Sequence, residues 1–120
     1  MIIIKPDAFE RGLVGELLAS FEINEEKVFN RMYSGTMTIE NCRAHYAAHI
    51  GQPYYQGLVH HMTQGICLFV DTRMHWGIVR DISLQLRKHY GVEGPRNLIH
   101  ASDSAETNVS ETAYWFKGYP

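Results

Sequence analysis

The sequence predicts an α+β fold, a ferredoxin-like split βαβ sandwich in which helices cover a four-stranded antiparallel sheet. Three observations support this prediction: four short apolar runs of strand composition, intervening stretches with apolar residues at helical spacing, and the order in which they alternate. That order is strand, helix, strand, two short helices, strand, helix, strand, helix. The 120 residues contain no repeat, linker or low-complexity segment, so a single domain spanning 1–120 is expected.

The first three elements follow from the spacing of apolar side chains. Met1 to Ile4 is a β-branched run that ends at Lys5-Pro6-Asp7, which predicts a buried strand. Leucine, valine and phenylalanine then recur at helical spacing and predict an amphipathic helix over about 14–22. The mixed pattern of residues 27–33 predicts a second strand.

Two short helices and a buried strand are expected next. Thr38 can cap a helix that has Tyr46 on its apolar face. Pro53 follows the break in that helix and can open the next one, which reaches Met62 and ends at Gly65. Residues 66–70 are continuously apolar, which favours a strand at the centre of the sheet.

The last part of the chain predicts a helix, a strand and a final helix. The first helix begins near Trp76, and a loop follows it at 91–95. Leu98 and Ile99 form the strand that leads into His100. Asp103 is the expected cap of the final helix, with Glu106 three residues on as in a capping box. The expected inner face of that helix consists of Ala105, Val109, Thr112 and Phe116.

Composition restricts the class of protein. The net charge of −2 argues against a dedicated nucleic-acid-binding protein, because such domains usually carry a strong basic excess. The two cysteines, Cys42 and Cys67, lie in apolar patterns and are expected to be buried thiols in a reducing compartment. No apolar run is long enough to span a membrane and no signal-peptide pattern is present, so a cytoplasmic location without membrane contact is expected.

The segment R-N-L-I-H-A-S-D-S at 96–104 is the strongest functional signal. A histidine at the end of an apolar strand is held rigidly, and the small polar residues after it leave room for a ligand. Neutral imidazole can act as a nucleophile and form a covalent intermediate. His100 is therefore the candidate catalytic residue.

Four positively charged side chains elsewhere in the chain could bind phosphate. Lys5 ends the first strand, and Arg80, Arg87 and Arg96 precede His100. Taken singly, each is more typical of a solvated surface side chain. The sequence has no P-loop and no kinase glycine-rich loop, so any phosphate would have to be bound by side chains.

Aromatic residues in the two middle helices could stack on a nucleobase, although core packing is favoured for Tyr46 and Tyr54. Asn97 lies three residues before His100, which in a regular strand would place the two on opposite faces. Glu111 could accept the imidazole N–H and fix its tautomer, although the helical periodicity places this residue off the apolar face.

A metal site is the weakest hypothesis. Two pairs of histidines, His45 with His49 and His60 with His61, have spacings that could suggest ligands. The zinc-protease pattern requires a glutamate directly after the first histidine, where this chain has Tyr46. Solvated or hydrogen-bonded histidines are favoured instead.

In this order, these segments resemble the nucleoside diphosphate kinase family. The resemblance is carried by I-I-I-K-P-D-A at 2–8, E-R-G-L-V-G-E at 10–16, H-Y-A-A-H-I-G-Q-P-Y-Y-Q-G-L-V at 45–59, M-T-Q-G at 62–65 and G-P-R-N-L-I-H-A-S-D-S at 94–104. The W-F pair at 115–116 also fits, so the resemblance spans nearly the whole chain.

The resemblance implies a ping-pong reaction. His100 would take the γ-phosphate of a nucleoside triphosphate, most often ATP, and pass it to a nucleoside diphosphate, with Mg²⁺ bound through the nucleotide phosphates and few protein ligands. Glu111 and Ser102 would support the imidazole. The resemblance implies these nucleotide-binding residues: Lys5, Tyr46, Tyr55, Leu58, Arg80, Arg87 and Asn97, with Tyr55 as the base-stacking aromatic. It also implies a homo-oligomer.

The chain departs from the family pattern between Arg80 and Arg87, where it is much shorter. Most of a family loop is missing there, including a threonine that normally helps to bind phosphate and a surface used in family hexamers. Arg87 is the best match to the arginine of that loop, but the predicted helix runs straight through it. Two alternatives therefore stay open: a catalytically impaired nucleotide-binding module of the same fold and, at lower weight, a metal-binding structural protein.

Overall fold

A computed structural model describes residues 1–23 and 27–119. The strands are β1 (Ile2–Ile4), β2 (Phe29–Thr36), β3 (Ile66–Thr72) and β4 (Ile99–Ala101). The helices of the described residues are α1 (Pro6–Glu10), α2 (Val14–Ala19), α3 (Ile39–His45), α4 (Tyr55–Thr63), α5 (Trp76–Tyr90) and α6 (Ala105–Trp115), with a 3₁₀ turn at Ala47–His49.

The four strands form one sheet in the order β2-β3-β1-β4, and every neighbouring pair is antiparallel. Because β3 is antiparallel to both β1 and β2, those two strands run parallel to each other with β3 between them. β1 separates β3 from β4 in the same way. This is the split βαβ arrangement, so the predicted α+β sandwich with a four-stranded antiparallel sheet is confirmed.

Alternating side chains of the strands form two apolar cores, one on each face of the sheet. Ile3 and Phe69 pack with residues of α3, α4 and α6 on one face. Ile2 and Val70 pack with residues of α2 and α5 on the other. β4 is an edge strand that presents its central residue, His100, to the α3, α4 and α6 side, opposite Ile3 on β1. Both predicted buried cysteines lie in the first core, with 0% exposure.

The predicted strands and helices are present with shifted boundaries, and the structure adds one short helix, α1, that the sequence did not predict. Helix α1 begins directly at Pro6, where the sequence predicted only a strand end, because a proline at the first helical position costs no hydrogen bond. The helix predicted over 14–22 ends at Ala19, and β2 extends from Phe29 to Thr36. Thr38 caps α3 as predicted, by accepting the backbone N–H of Asn41.

The start and the face of α6 differ from their predicted positions. The cap is Ser104 rather than Asp103, and its capping-box partner is Thr107 rather than Glu106. The buried face also differs: Val109 is 69% exposed, while Trp115 and Phe116 enter the core. The expected inward positions of Ala105 and Val109 are therefore wrong, and Glu111 faces the protein instead of solvent.

Among the described residues, the longest helix has 15 residues, and none combines the length and apolar character that crossing a membrane would need.

Candidate active site

A cavity of about 440 Å³ opens beside the edge strand β4. It brings together eight of the ten residues named from the sequence, contributed by the end of β1, the α3–α4 region, α5, the β4 region and α6. These eight are Lys5, Tyr46, Leu58, Arg80, Arg87, Asn97, His100 and Glu111.

His100 lies at the floor of the cavity in a fixed tautomer. Its Nε2 is 2.9 Å from Oε1 of Glu111, and the hydroxyl of Ser102 donates to the same oxygen at 2.6 Å. Burial would raise the pKa of Glu111, but the hydrogen bond and charge of His100 and the other donors lower that pKa to about 2. An ionised carboxylate only accepts hydrogen bonds, so Nε2 of His100 carries the proton and Nδ1 keeps its lone pair.

The imidazole of His100 stays neutral near pH 7. Burial lowers its pKa below the ordinary value, and the nearby charges of Lys5 and Arg87 act in the same direction against the opposing effect of Glu111. A neutral ring with a free Nδ1 is the form that can attack an electrophile.

Two arginines of α5 cover the outer edge of β4. Arg80 donates to the carbonyl oxygen of Ala101 at 3.1 Å, and Arg87 donates to that of Ile99 through Nε at 3.0 Å. An edge strand leaves such carbonyl groups without partners, and here the arginines fill that place. Both guanidinium groups line the cavity with His100, and burial together with the neighbouring Arg80 charge lowers the pKa of Arg87.

Lys5 supplies a third positive group and is only 3% exposed. Its Nζ makes one long contact, 3.4 Å to the carbonyl oxygen of Pro95. Burial, with a further contribution from the Arg87 charge, lowers the pKa of Lys5 to about 7. A buried ammonium without a carboxylate bonded to it is costly, so this site is suited to an anionic ligand.

A turn in the backbone before β4 brings Asn97 to the same side as His100, which a regular strand would not do. Leu98 has a φ of 72°, and the N–H of Ile99 donates to the carbonyl oxygen of Asn97 at 2.9 Å, which forms a three-residue turn. This left-handed residue breaks the strand alternation, so Asn97 and His100 line one cavity.

The K-P-D segment holds that turn in place. The backbone N–H of Lys5 donates to the carbonyl oxygen of Leu98 at 2.8 Å, and Oδ2 of Asp7 accepts the N–H of Leu98 at 3.0 Å. The other oxygen of Asp7 lies 2.9 Å from Nε2 of His61 in a buried contact. Both backbone groups of Leu98 are therefore satisfied, which stabilises an otherwise unfavourable conformation.

Among the described residues, three buried polar atoms at the cavity have no hydrogen-bond partner in the protein. They are Nε2 of His45, the hydroxyl of Tyr46 and Oδ1 of Asn97. A buried polar group without a partner costs roughly 1–3 kcal/mol, so such groups usually mark a position that a ligand fills.

Tyr54, which is 44% exposed, lies at the mouth of the cavity, and the buried Leu58 also lines the cavity. The hydroxyl of Tyr54 lies 2.6 Å from Nδ1 of His49. Tyr55, the aromatic expected to stack on a base, does not line the cavity and instead packs against the core. In helix α4, Tyr55 shares a face with Leu58 and Met62, which turns it inward.

The four histidines considered as metal ligands do not form one group. His61 binds Asp7, and His49 lies near Tyr54. His45 instead joins His100 and Glu111, with ligand atoms within 4.8 Å of one another. Sequence patterns favour core packing for Tyr54 and suggest His45 and His49 only as weak metal ligands, whereas the structure exposes Tyr54 and places all three residues in the cavity lining. Their shared signal was the density of aromatic and histidine residues at 45–55.

Comparison with known proteins identifies the family. The family model for nucleoside diphosphate kinase matches residues 1–82 and 78–119. The chain belongs to the nucleoside diphosphate kinase family. It is 33% identical to the nucleoside diphosphate kinase of Carboxydothermus hydrogenoformans, over 97% of this chain and 85% of that protein. It is 32% identical to the cytosolic nucleoside diphosphate kinase of Dictyostelium discoideum, over 95% and 81% of the two chains.

A solved structure of a nucleoside diphosphate kinase has the same fold. The chain superimposes on the crystal structure of the Aquifex aeolicus enzyme with a TM-score of 0.84 and 30% identity, covering 98% of this chain and 93% of that one.

The two segments that match the nucleoside diphosphate kinase model meet at residues 78–82, close to where the sequence lacks the family loop. The structure spans this region with one continuous helix, α5, from Trp76 to Tyr90. The predicted helix is thus confirmed, and Arg87 still reaches the cavity from it. The conflict between the helix and the position of Arg87 is resolved because Arg80 and Arg87 lie two turns apart on one helical face.

Proposed function

We propose that this protein is a nucleoside diphosphate kinase that transfers the γ-phosphate of a nucleoside triphosphate to a nucleoside diphosphate through phosphohistidine at His100. The observation that carries the proposal is the state of this side chain. Its Nε2–H is bound to ionised Glu111, and its ring lines a cavity that also holds Lys5, Arg80 and Arg87.

The reaction balances without a base. The lone pair of Nδ1 in His100 forms a bond to the γ-phosphorus, and the bond from that phosphorus to the β–γ bridging oxygen breaks. The leaving diphosphate keeps the electron pair. No proton leaves Nδ1 because none is there, and Glu111 stabilises the positive charge that develops on the ring. A second diphosphate reverses the same step, which gives a ping-pong cycle.

The three cations contribute mainly electrostatic stabilisation. The transferred phosphoryl group carries charge on its equatorial oxygens, and positioning with charge neutralisation is the main part of such catalysis. Lys5, Arg80 and Arg87 are buried or half-buried, so their charges act at low local dielectric. The free hydroxyl of Tyr46 adds a neutral donor on the same wall.

The nucleoside would bind at the mouth. The exposed ring of Tyr54 offers a face on which a base can stack, with Leu58 beside it. The unsatisfied Oδ1 of Asn97 suits a ribose hydroxyl. Stacking involves no readout of base edges, so we expect the enzyme to accept all bases.

The cavity fits Mg²⁺ that arrives with the nucleotide. Among the described residues, two carboxylates line the cavity; Glu111 is bound to His100 and Ser102, which leaves Asp103 to accept a hydrogen bond from water on the ion. This matches the preference of Mg²⁺ for phosphate and water ligands. When bound, the ion would neutralise phosphate charge.

Assembly and location are further parts of the proposal. A homo-oligomer and a cytoplasmic location are proposed because the family resemblance implies the first and the Dictyostelium relative is cytosolic by name. Sedimentation velocity and fluorescence microscopy of a tagged full chain would test these two points.

The alternative function is a nucleotide-binding module of the same fold that transfers phosphate poorly. The missing loop between Arg80 and Arg87 is the observation that favours it, because the family threonine is lost with it.

The deciding experiment is incubation with γ-labelled ATP and Mg²⁺, followed by a chase with a nucleoside diphosphate. We expect acid-labile, alkali-stable label on the protein that the chase removes. His100→Ala should bind nucleotide and carry no label. Nucleotide binding by folded wild-type protein without label would establish the alternative.

A further inference from the structure

His45 is the buried residue of the site that the proposed mechanism does not use. Its side chain is 1% exposed, and its ring centroid lies 4.7 Å from that of His100 in an edge-to-face arrangement. The indole N–H of Trp115 donates to its Nδ1 at 2.9 Å. Because indole is only a donor, Nδ1 of His45 must carry a lone pair.

The protonation state of His45 follows from this contact. Burial lowers the pKa of His45 to about 3, with further lowering by the charge of His100. The ring is therefore neutral near pH 7, and its single proton resides on Nε2. This N–H has no hydrogen-bond partner and stands 3.8 Å from Oε2 of Glu111.

The donors around Glu111 are distributed unevenly. Oε1 accepts both the N–H of His100 and the hydroxyl of Ser102, while Oε2 faces the N–H of His45. The neutral N–H of His45 favours the ionised form of Glu111. Unlike a second cation, it does not compete with His100 for the charge of this carboxylate.

We propose that His45 is a positioning residue for phosphoryl transfer: Trp115 fixes its proton on Nε2, and the dipole of this N–H, 3.8 Å from Oε2, helps to keep ionised the carboxylate that sets the tautomer of His100. The proposal deepens the proposed function and rests on it for its kinetic consequences. The tautomer of His45 and the state of Glu111 can be measured without any turnover.

The hydrogen bond from Trp115 to His45 also explains why the cluster of His45, His100 and Glu111 disfavours zinc. A metal on His45 would need the lone pair of Nε2, which moves the proton to Nδ1 and sets it against the indole N–H of Trp115. The buried indole would lose its acceptor, which disfavours metal binding. Replacing Trp115 by phenylalanine should therefore strengthen zinc binding by about tenfold or more.

Two conservative variants separate the roles of the ring nitrogens. His45→Gln can place an N–H near the position of Nε2, whereas His45→Asn can accept from Trp115 but does not reach Glu111. We expect the phosphorylation rate of His100 by γ-labelled ATP to fall less than threefold in His45→Gln. In His45→Asn it should fall about tenfold, with ADP binding unchanged in both.

The pH profile distinguishes positioning from a structural role. Glu111 raises the pKa of His100 through its hydrogen bond and charge. Loss of the His45 donor should weaken this contact, lower the pKa of His100 further and move the acid limb of the phosphorylation rate to lower pH. The groups that face this carboxylate are His100, Ser102 and His45, with the Met1 amino group also nearby, and Lys5 and Arg87 face His100. Equal losses in both variants with an unshifted acid limb would overturn the proposal.

Nitrogen NMR of histidine-labelled wild-type protein tests the tautomer directly and does not depend on kinase activity. We expect His45 to show a pyridine-type Nδ1 and a protonated Nε2, and Trp115→Phe to show a mixture. A protonated Nδ1 in the wild-type protein would refute the inference while leaving phosphoryl transfer by His100 intact. If the His45 variants do not fold, Trp115→Phe tests the inference instead. Zinc binding that is unchanged in this variant would contradict the role given to Trp115.

Discussion

The floor and the mouth of the cavity are built in opposite ways. At the floor, Lys5 and the N–H of Leu98 are buried, Glu111 is half-buried, and Glu111 and Leu98 are held by hydrogen bonds. At the mouth, Tyr54 is 44% exposed and its hydroxyl contact with His49 lies in solvent. Low dielectric and fixed geometry make the floor suited to chemistry. The exposed ring of Tyr54 can stack on any base, which suits the mouth to binding different nucleosides. Substitutions at the floor should therefore mainly lower kcat, and substitutions at the mouth should mainly raise KM.

The largest effect is expected at Lys5. Lys5→Met removes a buried charge from the phosphate site, so the phosphorylation rate should fall by about 10²–10³-fold. A rapid-quench assay with labelled ATP would measure this loss. A fall of less than threefold would remove Lys5 from the transfer machinery.

The same substitution should stabilise the protein. The pKa of Lys5 is lowered in the folded state to about 7, so between that pH and its ordinary value the unfolded chain binds more protons. The contribution of Lys5 to the free energy of unfolding therefore rises with pH between about pH 7 and the ordinary lysine pKa. Below about pH 7 the buried Lys5 is charged and destabilises the folded protein. Lys5→Met should raise the melting temperature at pH 7 by about 4 °C or more, roughly 1 kcal/mol for a chain of this size.

The pH dependence provides a matched control for the charge. Since free Lys5 loses its proton through about pH 7, kcat/KM should decline as pH rises above that value. Lys5→Arg keeps its charge at every pH, so its kcat/KM should be lower but flat across this range. An identical decline in Lys5→Arg would assign the limb to another group.

The second effect concerns the support beneath the floor. Asp7→Leu leaves the buried N–H of Leu98 without an acceptor, which should cost about 1–3 kcal/mol of unfolding free energy and reduce kcat at least tenfold. Urea denaturation and turnover assays would measure both quantities.

Asp7→Asn is the control for that variant. Its amide oxygen can still accept from Leu98 and its N–H can face His61 in the other histidine tautomer, so kcat should stay within about threefold. Equal losses in the leucine and asparagine variants would mean that charge, rather than the backbone contact, is what Asp7 contributes.

The smallest effect is expected at the mouth. Tyr54→Ala should raise the KM for nucleoside diphosphates by about tenfold, because stacking of one base on an aromatic ring contributes about 1–3 kcal/mol. Tyr54→Phe keeps the ring and should change KM less than twofold. Steady-state kinetics with several diphosphates would measure this.

Tyr55→Ala sharpens the comparison between the two adjacent tyrosines. Tyr55 packs against the core, so its loss should lower stability and leave KM nearly unchanged. A rise in KM for Tyr55→Ala that exceeds that for Tyr54→Ala would restore the role first expected for Tyr55.

Much of this protein was determined by its sequence. The period of apolar residues predicted the strands and helices, and the polar segment after Ile99 indicated His100 as the candidate reactive side chain. The single domain over 1–120 stays a prediction. Local patterns succeed here because burial of a strand or helix face depends mainly on nearby residues.

Tertiary structure decided which side chains meet. The left-handed conformation of Leu98 depends on Lys5 and Asp7, more than ninety positions away, and without it Asn97 and His100 would face apart. The packing of α6 on the sheet turned Glu111 toward His100, and the orientation of α4 placed Tyr54, and not Tyr55, in the cavity lining. Such choices depend on long-range hydrogen bonds and on 100° rotations per residue, which composition and spacing do not encode.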